Sequence, residues 1–240
     1  MECIILAGGL GTRLKKTVPD LPKPLAPVND QPFLALLLKQ LAAFKKPKIS
    51  KVILAVGYKA EAVQACFQKK FYPFELLFSR ESLPLGTGGA LKKALSLCTQ
   101  ETVLALNGDS YLAFDPEKLF LAHSEKQADI TLAYTEITEA SRYGRLVLDP
   151  AERILSFQEK PSQNTVLKPA NGKINGGVYL IQKQILEQLP FKENQAFSLE
   201  KEAFPIFLKK RFFACFASGI FIDIGTPESY LKAQQILKGI

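Results

Sequence analysis

The chain has 240 residues, of which 47% are hydrophobic and 22% charged, and this balance excludes a disordered or collagen-like protein. The formal net charge is +8, but the 31 Lys and Arg residues are dispersed along the chain, so no nucleic-acid partner is expected. No apolar stretch reaches the roughly 20 residues that span a membrane, and no signal-peptide pattern is present. Four scattered cysteines and a single histidine, His123, predict no zinc site. We therefore expect a cytoplasmic protein without a membrane partner.

Apolar strand-like runs alternate with helical patterns through the first half of the chain. The runs are continuous and rich in β-branched residues, which is typical of parallel strands buried on both faces. This alternation predicts a doubly wound, mostly parallel, Rossmann-like α/β fold with helices on both faces of the sheet. Asn29 or Asp30 is expected to cap the first helix, and Asp115 the fourth. The predicted strands cover 2–7, 51–56, 74–79, 102–106 and 129–137, and the predicted helices cover 32–44, 59–71, 88–98 and 115–127.

Short strands and turns replace this pattern from about residue 140. No repeat or low-complexity linker separates the two halves, so we expect a β-rich second region that completes one domain, 1–240. Thr226 followed by Pro227 is typical of a helix N-terminus. The predicted elements are strands over 144–149, 153–160 and 176–182, a helix from near Ser198, a hairpin over 211–225 that turns at Ser218–Gly219, and a helix over 226–237.

A glycine turn, LAGGLGTRL (6–14), follows the first predicted strand. A dinucleotide fingerprint would need a third glycine where Leu14 stands, and a Walker A motif would need Lys and then Ser or Thr in place of Thr12–Arg13. The turn matches neither motif, so either it is an ordinary tight turn or its backbone N–H groups and Arg13 face a phosphate. Four prolines within 18–28 hold Lys23 in a stiff loop. Together these features indicate a polyphosphate site.

Seven short motifs lie in order along most of the chain: LAGGLGTRL with PKPLAPV, PLGTGGAL (84–91), NGDSY (107–111), RYG (142–144), FQEKP (157–161), NGGVY (175–179) and FIDIGTPESY (221–230). In this order they resemble the sugar-nucleotide pyrophosphorylases, the NTP-transferase family. The resemblance implies an enzyme that joins a nucleoside triphosphate to a sugar 1-phosphate. The implied reaction is in-line attack by an oxygen of the sugar phosphate on the α-phosphorus, with release of pyrophosphate.

The resemblance also implies a role for each matching residue. Arg13 would hold the departing pyrophosphate and Lys23 the α-phosphate, while Asp109 and Asp223 would bind Mg²⁺, which needs few protein ligands. Residues 1–137 would form the nucleotide-binding half and residues 138–240 the sugar-phosphate-binding half. The implied nucleotide-binding residues are Leu6, Ala7, Gly8, Gly9, Gly11, Thr12, Gly86, Thr87 and Gly88. The implied sugar-phosphate-binding residues are Tyr143, Gly144, Glu159, Lys160 and Asn175, and Glu159 and Lys160 can share one ligand only if the strand bends near Pro161.

Two departures from many hexose 1-phosphate members bear on specificity. No proline follows the Thr-Arg-Leu of the glycine turn, and Phe221 stands where many members have a tryptophan. In both features the chain resembles members that join GTP to D-glycero-α-D-manno-heptose 1-phosphate and make GDP-heptose for bacterial surface polysaccharide. Mannose 1-phosphate with GTP, or a hexose 1-phosphate with UTP or dTTP, stays an alternative. A non-catalytic nucleotide-binding regulatory module is a further class, but it would be expected to have lost a phosphate cation or a metal carboxylate.

Overall fold

A nine-stranded sheet forms the centre of the computed structural model, which describes residues 1–15, 17–138, 140–158 and 171–240. Along the sheet the strands follow the order β10-β9-β11-β6-β1-β4-β5, and β8 joins β11 to β12. Two short pairs, β2 with β3 and β7 with β13, lie outside it. The strands are β1 Glu2–Leu6, β2 Pro27–Val28, β3 Gln31–Pro32, β4 Lys51–Val56, β5 Glu75–Arg80, β6 Thr102–Asn107, β7 Ser110–Leu112, β8 Ile130–Ile137, β9 Arg145–Leu148, β10 Ile154–Gln158, β11 Gly172–Gln182, β12 Phe212–Phe216 and β13 Phe221–Asp223.

Four parallel strands from the first half of the chain make up one side of the sheet. β1 lies between β4 and β6, with Ile4 opposite Ile53 on one side and Ala105 on the other, and β5 pairs with β4. Ile4 and Ile53 are fully buried, as expected for strands covered on both faces. Because these strands are parallel, their carboxyl ends meet at one edge, where open α/β sheets bind ligands.

Helices cover both faces of the sheet, as the sequence predicts. One hydrophobic cluster packs α1, α2, α4 and α7 on one face, and a second packs α3, α5 and α6 on the other. The helices are α1 Phe33–Ala42, α2 Ala60–Phe67, α3 Gly86–Ala94, α4 Pro116–Glu125, α5 Lys183–Glu187, α6 Phe204–Phe207 and α7 Pro227–Ile236, with 3-10 turns at Lys23–Leu25, Leu95–Leu97 and Ala140–Arg142 and a π-helical turn at Leu199–Ala203. In the part of the chain that the structure describes, none of these helices is long and apolar enough to cross a bilayer.

The second half of the chain joins the same sheet through the antiparallel strand β11. β11 pairs antiparallel with β6 and with β8, and β12 then adds to β8 in parallel. The predicted hairpin over 211–225 is wrong: β12 and β13 do not pair with each other. Ala217 N–H continues the β12–β8 pairing by donating to Tyr134 O (2.8 Å), whereas Asp223 of β13 lies opposite Ser110 of β7. The turn between β12 and β13 therefore carries the chain from the central sheet to the edge where Asp109 lies.

Two of the predicted helix N-caps are confirmed and one is wrong. Asp115 caps α4 through Glu117 N–H (2.9 Å), and Thr226 caps α7. The predicted cap at Asn29 or Asp30 is wrong, because α1 begins at Phe33 without a side-chain cap. Both residues instead have positive φ, 48° and 64°, in the tight turn that joins β2 to β3, and short polar side chains tolerate that conformation.

Candidate active site

A cavity of about 320 Å³ opens at the carboxyl ends of the parallel strands. The segments that follow β1, β5 and β6 form most of its wall, and the proline-rich loop and the second half of the chain complete it. Six of the nine predicted nucleotide-binding residues line it: Leu6, Ala7, Gly8, Gly9, Gly86 and Thr87. Its other lining residues are Leu10, Lys23, Pro24, Glu81, Pro84, Ala90, Asn107, Gly108, Asp109, Tyr179, Leu199 and Glu200.

The glycine turn passes closely between Glu81 and Lys23. A Cβ atom at Gly8 would lie 2.2 Å from Glu81 Oε1, so a larger residue would displace this carboxylate. Gly11 has a φ of +59°, and a Cβ there would lie 3.1 Å from Lys23 Cβ. The turn needs glycine at both positions. A side chain at position 8 would collide with Glu81, and the positive φ at position 11 would strain the backbone of any other residue.

The proline-rich loop fixes the ammonium group of Lys23. The residue opens a 3-10 turn directly after Pro22, and only 11% of its side chain is exposed. Its Nζ donates a hydrogen bond to Asp109 Oδ2 over 2.7 Å. Asp109 follows β6, and about half of its side chain is exposed to the cavity side of the sheet edge. The pair therefore places one cation and one carboxylate together where a phosphate chain could lie.

Asp223 lies beside this pair. Ile224 N–H donates to Asp109 O (2.9 Å), which ties the segment after β13 to the segment after β6. A Cβ atom on Gly225 would be 2.7 Å from Asp223 Oδ1 and 3.6 Å from Lys23 Nζ. The Tyr143 hydroxyl donates to Asp223 Oδ2 over 2.6 Å. The structure thus brings together Lys23, both predicted metal carboxylates and one predicted sugar-phosphate residue.

The donor set at this place fits a hard divalent cation. Among the described residues no three His, Cys, Asp or Glu side chains form a closed metal cage. Mg²⁺ does not need such a cage, since it is commonly held by one or two carboxylates together with substrate phosphates and water. Asp109 and Asp223 place two carboxylates side by side at an accessible edge of the sheet, which fits this mode of binding.

A hydrogen-bonded polar group extends from Asn175 toward the cavity. Asn175 is 8% exposed, and its Nδ2 donates to Glu200 Oε1 (2.7 Å) and to the Tyr179 hydroxyl (2.8 Å). Its backbone N–H donates to Gly144 O (2.9 Å), so two predicted sugar-phosphate residues are in contact. The register of β11 against β8 shifts between Asn175 and Val178, and such bulges often re-aim side chains next to active sites.

Several predicted site residues lie elsewhere. Gly11, Thr12 and Arg13 are outside the described lining of the cavity, and Thr12 and Arg13 are exposed. Gly88, also predicted to bind the nucleotide, is outside the lining as well, and its N–H donates a hydrogen bond to Phe197 O (3.0 Å) within the protein. Glu159 and Lys160, and the expected bend near Pro161, lie outside the described residues.

Glu81 is a cavity residue that the sequence reasoning missed. It directly follows β5, its N–H donates to Val56 O (2.8 Å), and its Oε2 accepts from Leu85 N–H (2.8 Å). Burial raises the pKa of its carboxyl group, against the lowering effect of the Leu85 hydrogen bond. The signal was available: like Asp109, Glu81 is a carboxylate just after a predicted parallel strand. Asn107 and Glu200 line the same cavity and were also missed.

The cavity lies at the carboxyl ends of an open doubly wound sheet, with Lys23 and Asp109 in its wall and Asp223 next to them. This arrangement is that of an α/β protein that binds a phosphorylated ligand. Comparison with known proteins gives the family. Residues 2–239 match the family model described as nucleotidyl transferase, and the chain belongs to this family of enzymes. Enzymes of the family generally use a divalent metal.

The similar proteins span nearly the whole chain. The chain is 41% identical to the D-glycero-alpha-D-manno-heptose 1-phosphate guanylyltransferase of Aneurinibacillus thermoaerophilus, with 99% of each covered. It is also 41% identical to the enzyme of that name from Campylobacter jejuni, over 96% of this chain and 97% of the relative. A solved structure of HddC from Yersinia pseudotuberculosis complexed with GMP-PN matches with a TM-score of 0.83 at 34% identity, covering 99% of both chains.

Proposed function

We propose that this enzyme joins GTP to D-glycero-α-D-manno-heptose 1-phosphate, forming GDP-heptose and pyrophosphate, with Mg²⁺ as its metal. An oxygen of the sugar phosphate attacks the α-phosphorus, and the bond from that phosphorus to the bridging oxygen of the β-phosphate breaks. The observation that carries this proposal is the grouping of Lys23, Asp109 and Asp223 at the mouth of a strand-end cavity. The full-length similarity to two heptose 1-phosphate guanylyltransferases supports the choice of substrates.

Positioning and charge neutralisation are the main demands of this reaction. Lys23 binds the α-phosphate while negative charge builds on its oxygens, and its low exposure keeps water from weakening that contact. Arg13, exposed beyond the glycine turn, reaches the pyrophosphate. When bound to Asp109 and Asp223, Mg²⁺ supplies further neutralisation of phosphate charge.

The remaining roles follow the two halves of the domain. The first half, residues 1–137, binds the nucleotide through the glycine turn and the start of α3. The second half, 138–240, binds the sugar phosphate. The residues proposed for that part are Tyr143, Gly144, Glu159, Lys160 and Asn175. We place the reaction in the cytoplasm, where nucleoside triphosphates are supplied.

Glu81 supports guanine as the base. Its carboxylate lines the cavity after β5 and lies against Gly8, whereas Lys23 lies on the Asp109 side of the same cavity. This arrangement suits a base at Glu81 when the phosphates are at Lys23. Guanine presents two neighbouring donors, N1–H and the N2 amino group, and a carboxylate accepts both. Uracil and thymine present one donor between two carbonyl oxygens, which a carboxylate repels.

Substitution of Glu81 tests the proposal directly. Pyrophosphate release is measured with GTP, UTP, dTTP and ATP in turn for the wild-type enzyme and for Glu81→Gln. The expected result is a loss of kcat/KM for GTP of about tenfold to a hundredfold, equivalent to 1–3 kcal/mol for an unpaired polar contact, and a smaller preference for GTP over UTP. Glu75→Gln is the matched control, because Glu75 is an exposed residue at the opposite end of β5. Unchanged GTP preference in Glu81→Gln would remove Glu81 from base recognition.

A further inference from the structure

The hydroxyl group of Ser229 points at the carboxylate of Asp223. Ser229 is only 2% exposed, and its Oγ lies 3.0 Å from Asp223 Oδ1. Gly225 N–H donates to the same oxygen over 2.6 Å. Oδ1 is thus held by the first turn of α7 and by the segment just before that helix, and Oδ2 accepts from the Tyr143 hydroxyl.

Ser229 also belongs to the cap of α7, and its residue type is unusual there. In a capping box the third helical residue is ordinarily Glu or Gln, whose side chain accepts from the N–H of the N-cap residue. Here the Ser229 hydroxyl oxygen accepts from Thr226 N–H (3.1 Å), while Ser229 N–H donates to Thr226 Oγ1 (3.3 Å). A Glu side chain could fill this cap, but an ionised carboxylate has no proton to give to a neighbouring aspartate.

The single proton of the Ser229 hydroxyl has three acceptors within reach. Asp223 Oδ1 is at 3.0 Å, Thr226 O at 3.2 Å and Thr226 Oγ1 at 3.1 Å. The carboxylate is the strongest of these, because hydrogen bonds to ionised groups are roughly twice as strong as neutral ones. The proton is therefore directed to Asp223, and the capping function is met by the lone pairs of the same oxygen.

We propose that Ser229 is a positioning residue, which holds Asp223 by Oδ1 and so fixes the orientation of its carboxylate toward the metal. This inference rests on the proposed function, because it takes Asp223 as a metal ligand. Among the contacts of the described residues, Oδ1 accepts two hydrogen bonds, from Gly225 N–H and from the Ser229 hydroxyl, and Oδ2 accepts one. Groups that orient a metal ligand in this way commonly change metal affinity by 10–100-fold when they are removed.

Metal binding without turnover is the test. Mn²⁺ is titrated into the enzyme with GTP present and sugar phosphate absent, and free Mn²⁺ is followed by its electron paramagnetic resonance signal. Ser229→Ala is expected to weaken Mn²⁺ binding about tenfold. Thr226→Ala is the matched control: it removes the cap of the same helix, but leaves the Ser229 hydroxyl for Asp223. Its expected effect is a lower thermal unfolding temperature with Mn²⁺ affinity within about twofold of wild type.

Asp223→Asn distinguishes a failure of the proposed metal site from a failure of the positioning role of Ser229. If this variant binds Mn²⁺ like the wild type, the metal assignment in the proposed function fails. If Asp223→Asn binds Mn²⁺ weakly but Ser229→Ala binds it normally, only the positioning role of Ser229 is refuted. Equal weakening of Mn²⁺ binding in Ser229→Ala and Thr226→Ala would also refute that role, because the loss would then follow from the lower stability of the helix. Should Ser229→Ala not fold, Ser229→Cys keeps the side-chain shape with a weak donor, and an unchanged Mn²⁺ affinity in that variant would overturn the proposal.

Discussion

The only histidine of the chain predicts how folding stability depends on pH. His123 is 4% exposed on α4; its Nδ1 lies 2.9 Å from Thr131 Oγ1, and its Nε2 lies 3.1 Å from the Gln182 side-chain amide nitrogen. The amide nitrogen can only donate, so the neutral ring accepts at Nε2, and protonation there would break the bond. Burial lowers the pKa of His123 to about 4; the nearby Asp129 opposes this shift.

The sign and size of the effect follow from the two pKa values. In the unfolded chain the imidazole takes up its proton near pH 6.5, whereas in the folded protein it does so near pH 4. Between these values the unfolded state binds more protons, so stability is lost as the pH falls. Each unit between the two pKa values corresponds to about 1.4 kcal/mol, which gives a loss of about 2 kcal/mol at pH 5 and about 3 kcal/mol below pH 4.

Urea unfolding at pH 7.5 and pH 5.0 measures this loss, for the wild type and for His123→Gln. The variant keeps a polar side chain at the site, but has no group that titrates in this range. Contributions from carboxylates are common to both proteins and cancel in the comparison. We expect the wild type to lose about 2 kcal/mol more than the variant between the two pH values. Equal losses would show that His123 titrates near its ordinary pKa in the folded protein, and would refute the reasoning.

Two further substitutions follow from the site and the packing around it. Lys23→Ala is expected to lower kcat by about a hundredfold or more, because the fixed charge contact proposed between Lys23 and the α-phosphate would be lost. A rise in KM alone in steady-state kinetics would contradict this role. Gly88→Ala places a Cβ atom 2.2 Å from Phe197 Cε2, so chemical denaturation is expected to give a loss of about 1–3 kcal/mol; stability equal to wild type would show that the Phe197 ring yields at no cost.

The sequence was sufficient where local pattern decides structure. Apolar runs separated by helices predicted β1, β4, β5 and β6, because β1, β4 and β6 are buried on both faces and β5, at the edge of the sheet, is partly buried. It was not sufficient for strand pairing in the second half. The alternating run over 211–225 fits a hairpin as well as two unrelated strands, and only distant partners decide between them: β12 pairs with β8 and β13 with β7.

The same limit applies to the site. Lys23 was recognisable because a proline-rich loop restricts where its side chain can lie. Asp109 and Asp223 were predicted from the resemblance, and the structure places Asp109 Oδ2 2.7 Å from Lys23 Nζ. Glu81 and Ser229 were missed because their importance depends on neighbours that folding supplies: Gly8 beside Glu81, and the turn that brings Asp223 to the Ser229 hydroxyl.

Pyrophosphate release and product mass, measured with Mg²⁺ and each nucleoside triphosphate against a panel of sugar 1-phosphates, test the central claim most directly. The panel contains D-glycero-α-D-manno-heptose 1-phosphate, mannose 1-phosphate and glucose 1-phosphate. The account predicts rapid release with GTP and the heptose 1-phosphate, and a product with the mass of GDP-heptose. Release only with UTP or dTTP, or only with a hexose 1-phosphate, would contradict the proposed specificity, and no release with any pair would contradict the proposed reaction itself.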